Sequence, residues 1–124
     1  MSEHSESFLF PKWRHLRSSQ DFARIYELKL RAGDNFLLLF GAPNELGHTR
    51  IGLSVSKRHG NSVRRHRLRR LIREGYRLAQ HDIVEGWDLI CIPRADSGAT
   101  TDDFRRSFIK LSGKLVRRLD NTTP

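Results

Sequence analysis

The chain has 124 residues and one cysteine, and its 23 Lys and Arg against 14 Asp and Glu give a formal charge of +9. That length fits one compact domain, and a single Cys excludes an internal disulfide. No stretch approaches the roughly 20 apolar residues of a membrane span. In chain order, residues 1–15 carry few structural signals and read as a tail. Glu3 and Glu6 precede only a short apolar patch, Phe8-Leu9-Phe10, without the basic start and long apolar stretch of a secretory signal. Ser18-Ser19-Gln20-Asp21 approximates a capping box, and Phe22, Ile25 and Tyr26 behind it recur at helical spacing, which predicts a helix over about 19–29. Gly33-Asp34-Asn35 is a turn signal. Phe36 to Phe40 is a short apolar run of strand length, broken by Pro43-Asn44-Glu45-Leu46-Gly47. Ile51, Leu53 and Val55 alternate with Gly52, Ser54 and Ser56, a strand with one buried face.

A basic helix follows. Gly60 can take the positive φ of a tight turn, and Asn61 or Ser62 can cap the helix start. Gly86 precedes a strand over Trp87 to Ile92 that Pro93 stops. Its Cys91 lies among Leu89, Ile90 and Ile92, where a free thiol packs as a small hydrophobe, in keeping with a reducing, cytoplasmic setting. Thr100-Thr101-Asp102-Asp103 caps a last helix with Phe104, Phe108, Leu111 and Leu115 on one stripe. Helix, strands, helix, strand, helix spells one α/β domain of α+β sandwich type over residues 16–120, with a short tail at 121–124.

The charge is concentrated. Residues 57–77 hold nine bases (Lys57, Arg58, Arg64, Arg65, Arg67, Arg69, Arg70, Arg73, Arg77) and one acid, Glu74, while the rest of the chain holds 14 bases and 13 acids. A localised field of this kind suits a polyanion. At about 100° per residue, Leu68, Leu71, Ile72, Gly75, Leu78 and Ala79 share one side of the helix. His66, Arg69, Arg70, Arg73 and Arg77 share the other, with Arg65 and Arg67 on the flanks. Like charges at i,i+4 repel by roughly a few tenths of a kcal/mol each, and Glu74 reaches only Arg70 and Arg77. Seven arginines and no lysine lie between 64 and 77. Guanidinium forks grip phosphates with two bonds and stack on bases, and a helix N-terminus favours phosphate as well. The bland alternative, a solvated charged face, normally intersperses acids, which this face lacks. Phe22 and Tyr26, four apart, with Phe36, Leu38 and Phe40 on one strand face, suit either core packing or unstacked single-stranded bases.

Lys57-Arg58-His59-Gly60-Asn61-Ser62-Val63-Arg64-Arg65-His66-Arg67-Leu68-Arg69-Arg70-Leu71-Ile72-Arg73-Glu74 resembles the signature of the bacterial ribonuclease P protein family. Phe10-Pro11-Lys12, Leu16 through Phe22, Arg50 through Lys57 and Gly86 through Ile90 resemble its other segments. The resemblance implies a central mixed sheet of about four strands packed with three helices, including an uncommon left-handed βαβ crossover. It implies binding to the catalytic RNA subunit and to the 5′ leader of precursor tRNA. The RNA hydrolyses the phosphodiester with its own magnesium ions; no cofactor is bound by the protein alone. Arg65, Arg67, Arg69, Arg70 and Arg73 carry over as contacts to the catalytic RNA, and Arg64, His66 and Arg77 belong to the same basic surface. Phe22 and Tyr26, with Lys57 and its neighbour Arg58, carry over to the leader cleft. His66 stands where the family usually has Asn, so an imidazole replaces the amide there, and Ser62 replaces Ala.

The residues themselves offer no catalytic group. His4, His15, His48, His59, His66 and His81 are scattered, with no pair at zinc-helix spacing, and no nucleophile motif appears. Asp82, Glu85 and Asp88 flank a turn and a strand and read as surface acids rather than a metal site. Neither a membrane nor a small-molecule substrate is expected. Two rivals remain: a general RNA- or DNA-binding protein of ribosomal or architectural kind, and a self-sufficient nuclease.

Overall fold

The structure, a computed structural model, describes residues 10–122. The expectations for residues 1–9 and 123–124 lie outside that span. The helix α1 (Ser19–Leu28) starts where Ser18 Oγ accepts the Asp21 N–H and ends at Lys29, which takes φ 59°. The strands are β1 (Arg31–Gly33), β2 (Leu37–Pro43), β3 (Arg50–Leu53) and β4 (Trp87–Pro93). Between β3 and β4 runs α2 (Ser62–Ala79), and the chain closes with α3 (Thr101–Thr122). At its start Thr100 and Asp103 exchange bonds, each backbone N–H reaching the other's side chain.

The sheet order is β1-β2-β4-β3, with β1–β2 and β2–β4 antiparallel and β3–β4 parallel. It is a four-stranded mixed sheet with three helices, as expected. Parallel neighbours need a crossover, and α2 supplies it. Alternation along the strands divides the core into two layers. Leu37, Leu39, Ile51, Leu89 and Cys91 face α2 and α3, where Tyr76, Phe104, Phe108 and Leu111 bury completely. On the other face Ala42 and Ile90 meet Leu16 and Ile25, with Phe22, Tyr26, Phe40 and Ile92 half-buried around them. Burial pushes the Cys91 thiol pKa up, so it stays protonated in the core.

Several expectations change. The turn read at Gly33-Asp34-Asn35 begins one residue late, because Arg31–Gly33 form a strand by pairing with Leu38, Leu39 and Phe40. Asp34 makes the turn itself, its Oδ1 accepting from the Phe36 and Leu37 N–H groups. The second strand is 37–43 rather than 36–40: ladder pairing carries it through Pro43. The strand read at 51–55 ends at Leu53, and Gly52 is buried too, so both its faces are covered. Residues 10–15 are docked rather than trailing. Leu16 N–H donates to Ile51 O, and the Phe10 ring lies 5.3 Å from that of Tyr76. At the other end α3 runs on through the segment read as a tail from 121.

Gly75 lets α2 and α3 touch: a Cβ there would come within 2.8 Å of Phe104 Cβ and 3.0 Å of Arg105 N. Gly75→Ala is expected to cost about 1–3 kcal/mol, the usual penalty for overpacking. A melting temperature equal to that of the parent would show that the two helices part freely.

Candidate nucleic-acid interface

The basic helix is built as its sequence dictates. Gly60 takes φ 118° and leaves room for the Arg64 side chain, and Asn61 Oδ1 accepts the Arg64 N–H. Ile72, Gly75, Tyr76 and Ala79 form the buried side. Two assignments move. Leu78, read as core, is 38% exposed, and Tyr76 lies at the centre of the buried face, 0% exposed. Leu68 and Leu71 are half-buried at its margin.

Outward, Arg64, His66, Arg67, Arg70 and Arg73 are exposed, while Arg65, Arg69 and Arg77 are half-buried. Arg77 is committed to Glu74, with Nη2–Oε1 at 2.6 Å. That pairing, first through the hydrogen bond, holds the Glu74 carboxyl below its usual range. Arg64 meets Asp96 at 3.4 Å, both side chains mostly in water. Arg69 Nη2 donates to Val55 O. Arg65, Arg67, Arg69, Arg70 and Arg73 form no ion pair among the described residues, and Arg65 Nε is buried without a hydrogen-bond partner. Partial burial, then the nearby charges of Arg69 and Arg17, lower the Arg73 pKa. The strip is therefore an un-neutralised positive surface.

The aromatic group lies on the opposite face of the sheet. Phe22 sits over Gly52, where an added Cβ would come within 2.5 Å of its ring. Phe22 and Tyr26 are 6.5 Å apart, and Tyr26 meets Phe40 edge-on at 4.9 Å. Arg31 stands 6.0 Å from the Phe40 ring. All three rings are half-buried, so they pack and also show surface. Lys57 and Arg58 are exposed in the turn after β3. That turn is fixed by His59, which carries no signal of its own in the sequence. Its Nδ1 accepts the Ser56 N–H at 3.0 Å, which leaves Nε2 to donate to Pro93 O at 2.8 Å.

The two groups meet around the β3 edge. A hollow of about 270 Å³ there is lined by Phe22 and Gly52 from one face and by His15, Arg17, Arg69 and Arg73 from the other side. His15 stacks on Phe10 at 4.0 Å. Burial, then Arg17 and Arg73, push its pKa down. Sequence reasoning misses His15 and Arg17 because the early segment has no periodicity; only docking on Ile51 brings them here.

The acids read as a surface trio separate. Asp82 is exposed, Glu85 binds Arg14 and the Thr49 N–H, and Asp88 is wholly buried. Asp88 accepts from Arg50 Nε and Nη2 at 2.8 and 2.7 Å, Arg24 Nη2 at 2.6 Å and Asn44 Nδ2 at 2.8 Å. Its oxygens are filled by two guanidiniums and an amide. Among the described residues no group of three His, Cys, Asp or Glu side chains converges to hold a metal ion, and no helix is long and apolar enough to cross a membrane.

The family whose sequence profile matches is Ribonuclease P, over residues 10–116. The ribonuclease P protein component of Lachnoclostridium phytofermentans is 43% identical over 110 residues, covering 88% of this chain and 94% of that protein. That of Photorhabdus laumondii is 34% identical, covering 88% and 89%. Among solved structures, the Staphylococcus aureus RNase P protein superposes with TM-score 0.66 at 28% identity, covering 86% of this chain and 94% of that one. The Thermotoga maritima RNase P protein gives 0.63 at 26%, covering 89% and 98%.

Proposed function

This chain belongs to the ribonuclease P protein family, and we propose on that premise that it binds the catalytic RNA subunit through α2 and the 5′ leader of precursor tRNA beside Phe22. The observation that carries this reading is the meeting of two surfaces at the β3 edge. The arginine strip of α2, whose Arg65, Arg67, Arg70 and Arg73 form no ion pair among the described residues, reaches that edge through Arg69 and Arg73, and the half-buried aromatic row reaches it through Phe22. Guanidiniums neutralise phosphates, which lets catalytic RNA and substrate, two polyanions, approach one another. Half-exposed rings offer stacking to unpaired leader bases. A mature tRNA has no leader to place there, so the cleft favours precursor over product. Hydrolysis is assigned to the RNA and its magnesium ions. The protein's part is to hold phosphates and position the leader, in keeping with carboxylates such as Asp88 that are already saturated by arginine. The setting is the bacterial cytoplasm.

Reconstitution tests it: the protein added to a bacterial catalytic RNA should restore precursor tRNA cleavage at magnesium concentrations where the RNA alone is slow. Indiscriminate RNA binding without stimulation would favour a general RNA binder, and cleavage by the RNA-free protein a nuclease. Within that assay, Phe22→Ala should lower the preference for precursor over mature tRNA about fivefold, the low end of the roughly 1–3 kcal/mol of a base–aromatic stack, because the ring is half-buried. Equal loss of affinity for precursor and mature tRNA would mark Phe22 as packing alone.

A further inference from the structure

α2 has a second basic flank, on the side away from β3. Arg64, Arg67, Leu68 and Leu71 succeed one another at helical spacing and face the segment that joins β4 to α3. Between them lies a separate hollow of about 270 Å³, closed on its far side by Arg94, Asp96 and Ala99. Leu68, Leu71 and Ala99 pack on the core, so the floor is apolar and fixed. One end is the His59 ring, held between Ser56 and Pro93. Around the rim stand three guanidiniums and one carboxylate. Arg94 is anchored through Nε to Asp34 O at 3.1 Å, and Asp96 is held in the left-handed region at φ 56°. The Arg64–Asp96 pair across the mouth is long at 3.4 Å, with side chains 66% and 83% exposed. Such a pair contributes little and exchanges readily with another anion.

We propose that this hollow receives one unstacked nucleotide of single-stranded RNA. The base lies on Leu68, Leu71 and Ala99, and its phosphate displaces Asp96 from Arg64 and is shared with Arg67. The freed Asp96 carboxylate accepts from an amino group on the base edge. Size permits this occupant: the space, about 270 Å³ and open at its mouth, lies just below the roughly 300–1,000 Å³ of pockets for drug-sized ligands. A planar ring system fits, and a duplex or a peptide helix does not. An apolar floor ringed by arginines matches a base with its phosphate, and the same helix carries the strip proposed above to bind RNA. The inference rests on that RNA reading, and its test separates the two.

Amide NMR shifts of the full chain are followed on adding a single-stranded RNA pentamer, the same sequence as a duplex, or inorganic phosphate. The pentamer should shift Ser97, Gly98 and Ala99 saturably, together with Arg70 and Arg73 on the outer strip. Phosphate or duplex reproducing the Ser97–Ala99 shifts would overturn the site as one for an unstacked nucleotide. Shifts on the outer strip alone would overturn this inference and leave the RNA reading standing; no shifts anywhere would overturn both. Ala99→Trp, which fills the hollow, should abolish the response at Ser97 and Gly98 and keep that at Arg70. Ser97→Trp on the loop should likewise abolish the response at Gly98 and keep that at Arg70, without burden on the core. Persistence of the Gly98 response in both variants would overturn the proposal.

Discussion

Replacing Arg70 and Arg73 together by alanine is expected to weaken binding of the catalytic RNA about ten- to hundredfold, near one tenfold step of roughly 1.4 kcal/mol for each phosphate no longer held. The pair is chosen on structural grounds. Arg77 is occupied by Glu74, and Arg69 spends a donor on the Val55 carbonyl, so removing either also disturbs the fold. Arg70 and Arg73 are exposed and have no ion pair among the described residues. Their loss should leave the melting temperature unchanged or slightly higher, since the charged form of Arg73 is disfavoured by partial burial and then by its neighbours Arg69 and Arg17. Unchanged RNA affinity in a folded double variant would remove α2 from the interface.

The second large effect concerns the fold beneath that surface. Asp88→Ala is expected to cost about 3 kcal/mol, the low end of the roughly 3–5 kcal/mol for breaking a buried ion pair. The low end applies because Arg24 is 43% exposed and can turn to water, whereas Arg50 is 21% exposed and cannot do so as fully. The loss unties α1 and the loop after β2 from β3 and β4 at once. Acid should act through the same group. Burial pushes the Asp88 carboxyl up, but hydrogen bonds from Arg50 and Asn44, with the charges of Arg50 and Arg24, bring it below its ordinary value of 3.8. A depressed carboxylate stabilises the fold fully above that ordinary value and loses its contribution as pH falls toward its folded pKa. Denaturant titrations below pH 4 should therefore show the gap between parent and Asp88→Ala narrowing. A gap that stays constant from pH 7 to pH 3 would mean that the charge of Asp88 is not what stabilises.

Local signals in the sequence predict local structure well. Ser18 and Asn61 cap helices as their side chains allow, and the basic residues from 64 to 77 spread over one outward surface because the apolar positions turn inward. What escapes depends on distant partners. Arg31–Gly33 has little strand character of its own and becomes β1 only against β2. Asp88 looks like a surface acid beside Gly86 and Trp87; its partners come from positions 24, 44 and 50, separated from it by 64, 44 and 38 residues. Tyr76 stands outside the apolar series on its helix, though its large ring fills the space between α2, α3 and Phe10. His15 and Arg17 join the site by docking on β3, which no periodicity announces. The aromatic pair is ambiguous in the sequence, and the structure retains both aspects: Phe22 and Tyr26 are packed on one side and open on the other.

The most direct test of the arginine strip is the salt dependence of binding to the catalytic RNA, measured for the parent and for the Arg70→Ala, Arg73→Ala double variant. The parent should show log affinity falling linearly with log salt, and the double variant a slope shallower by about 0.7–0.9 for each phosphate left un-neutralised. A flat response in the parent, or the same slope in both proteins, would contradict the claim that these side chains hold RNA phosphates.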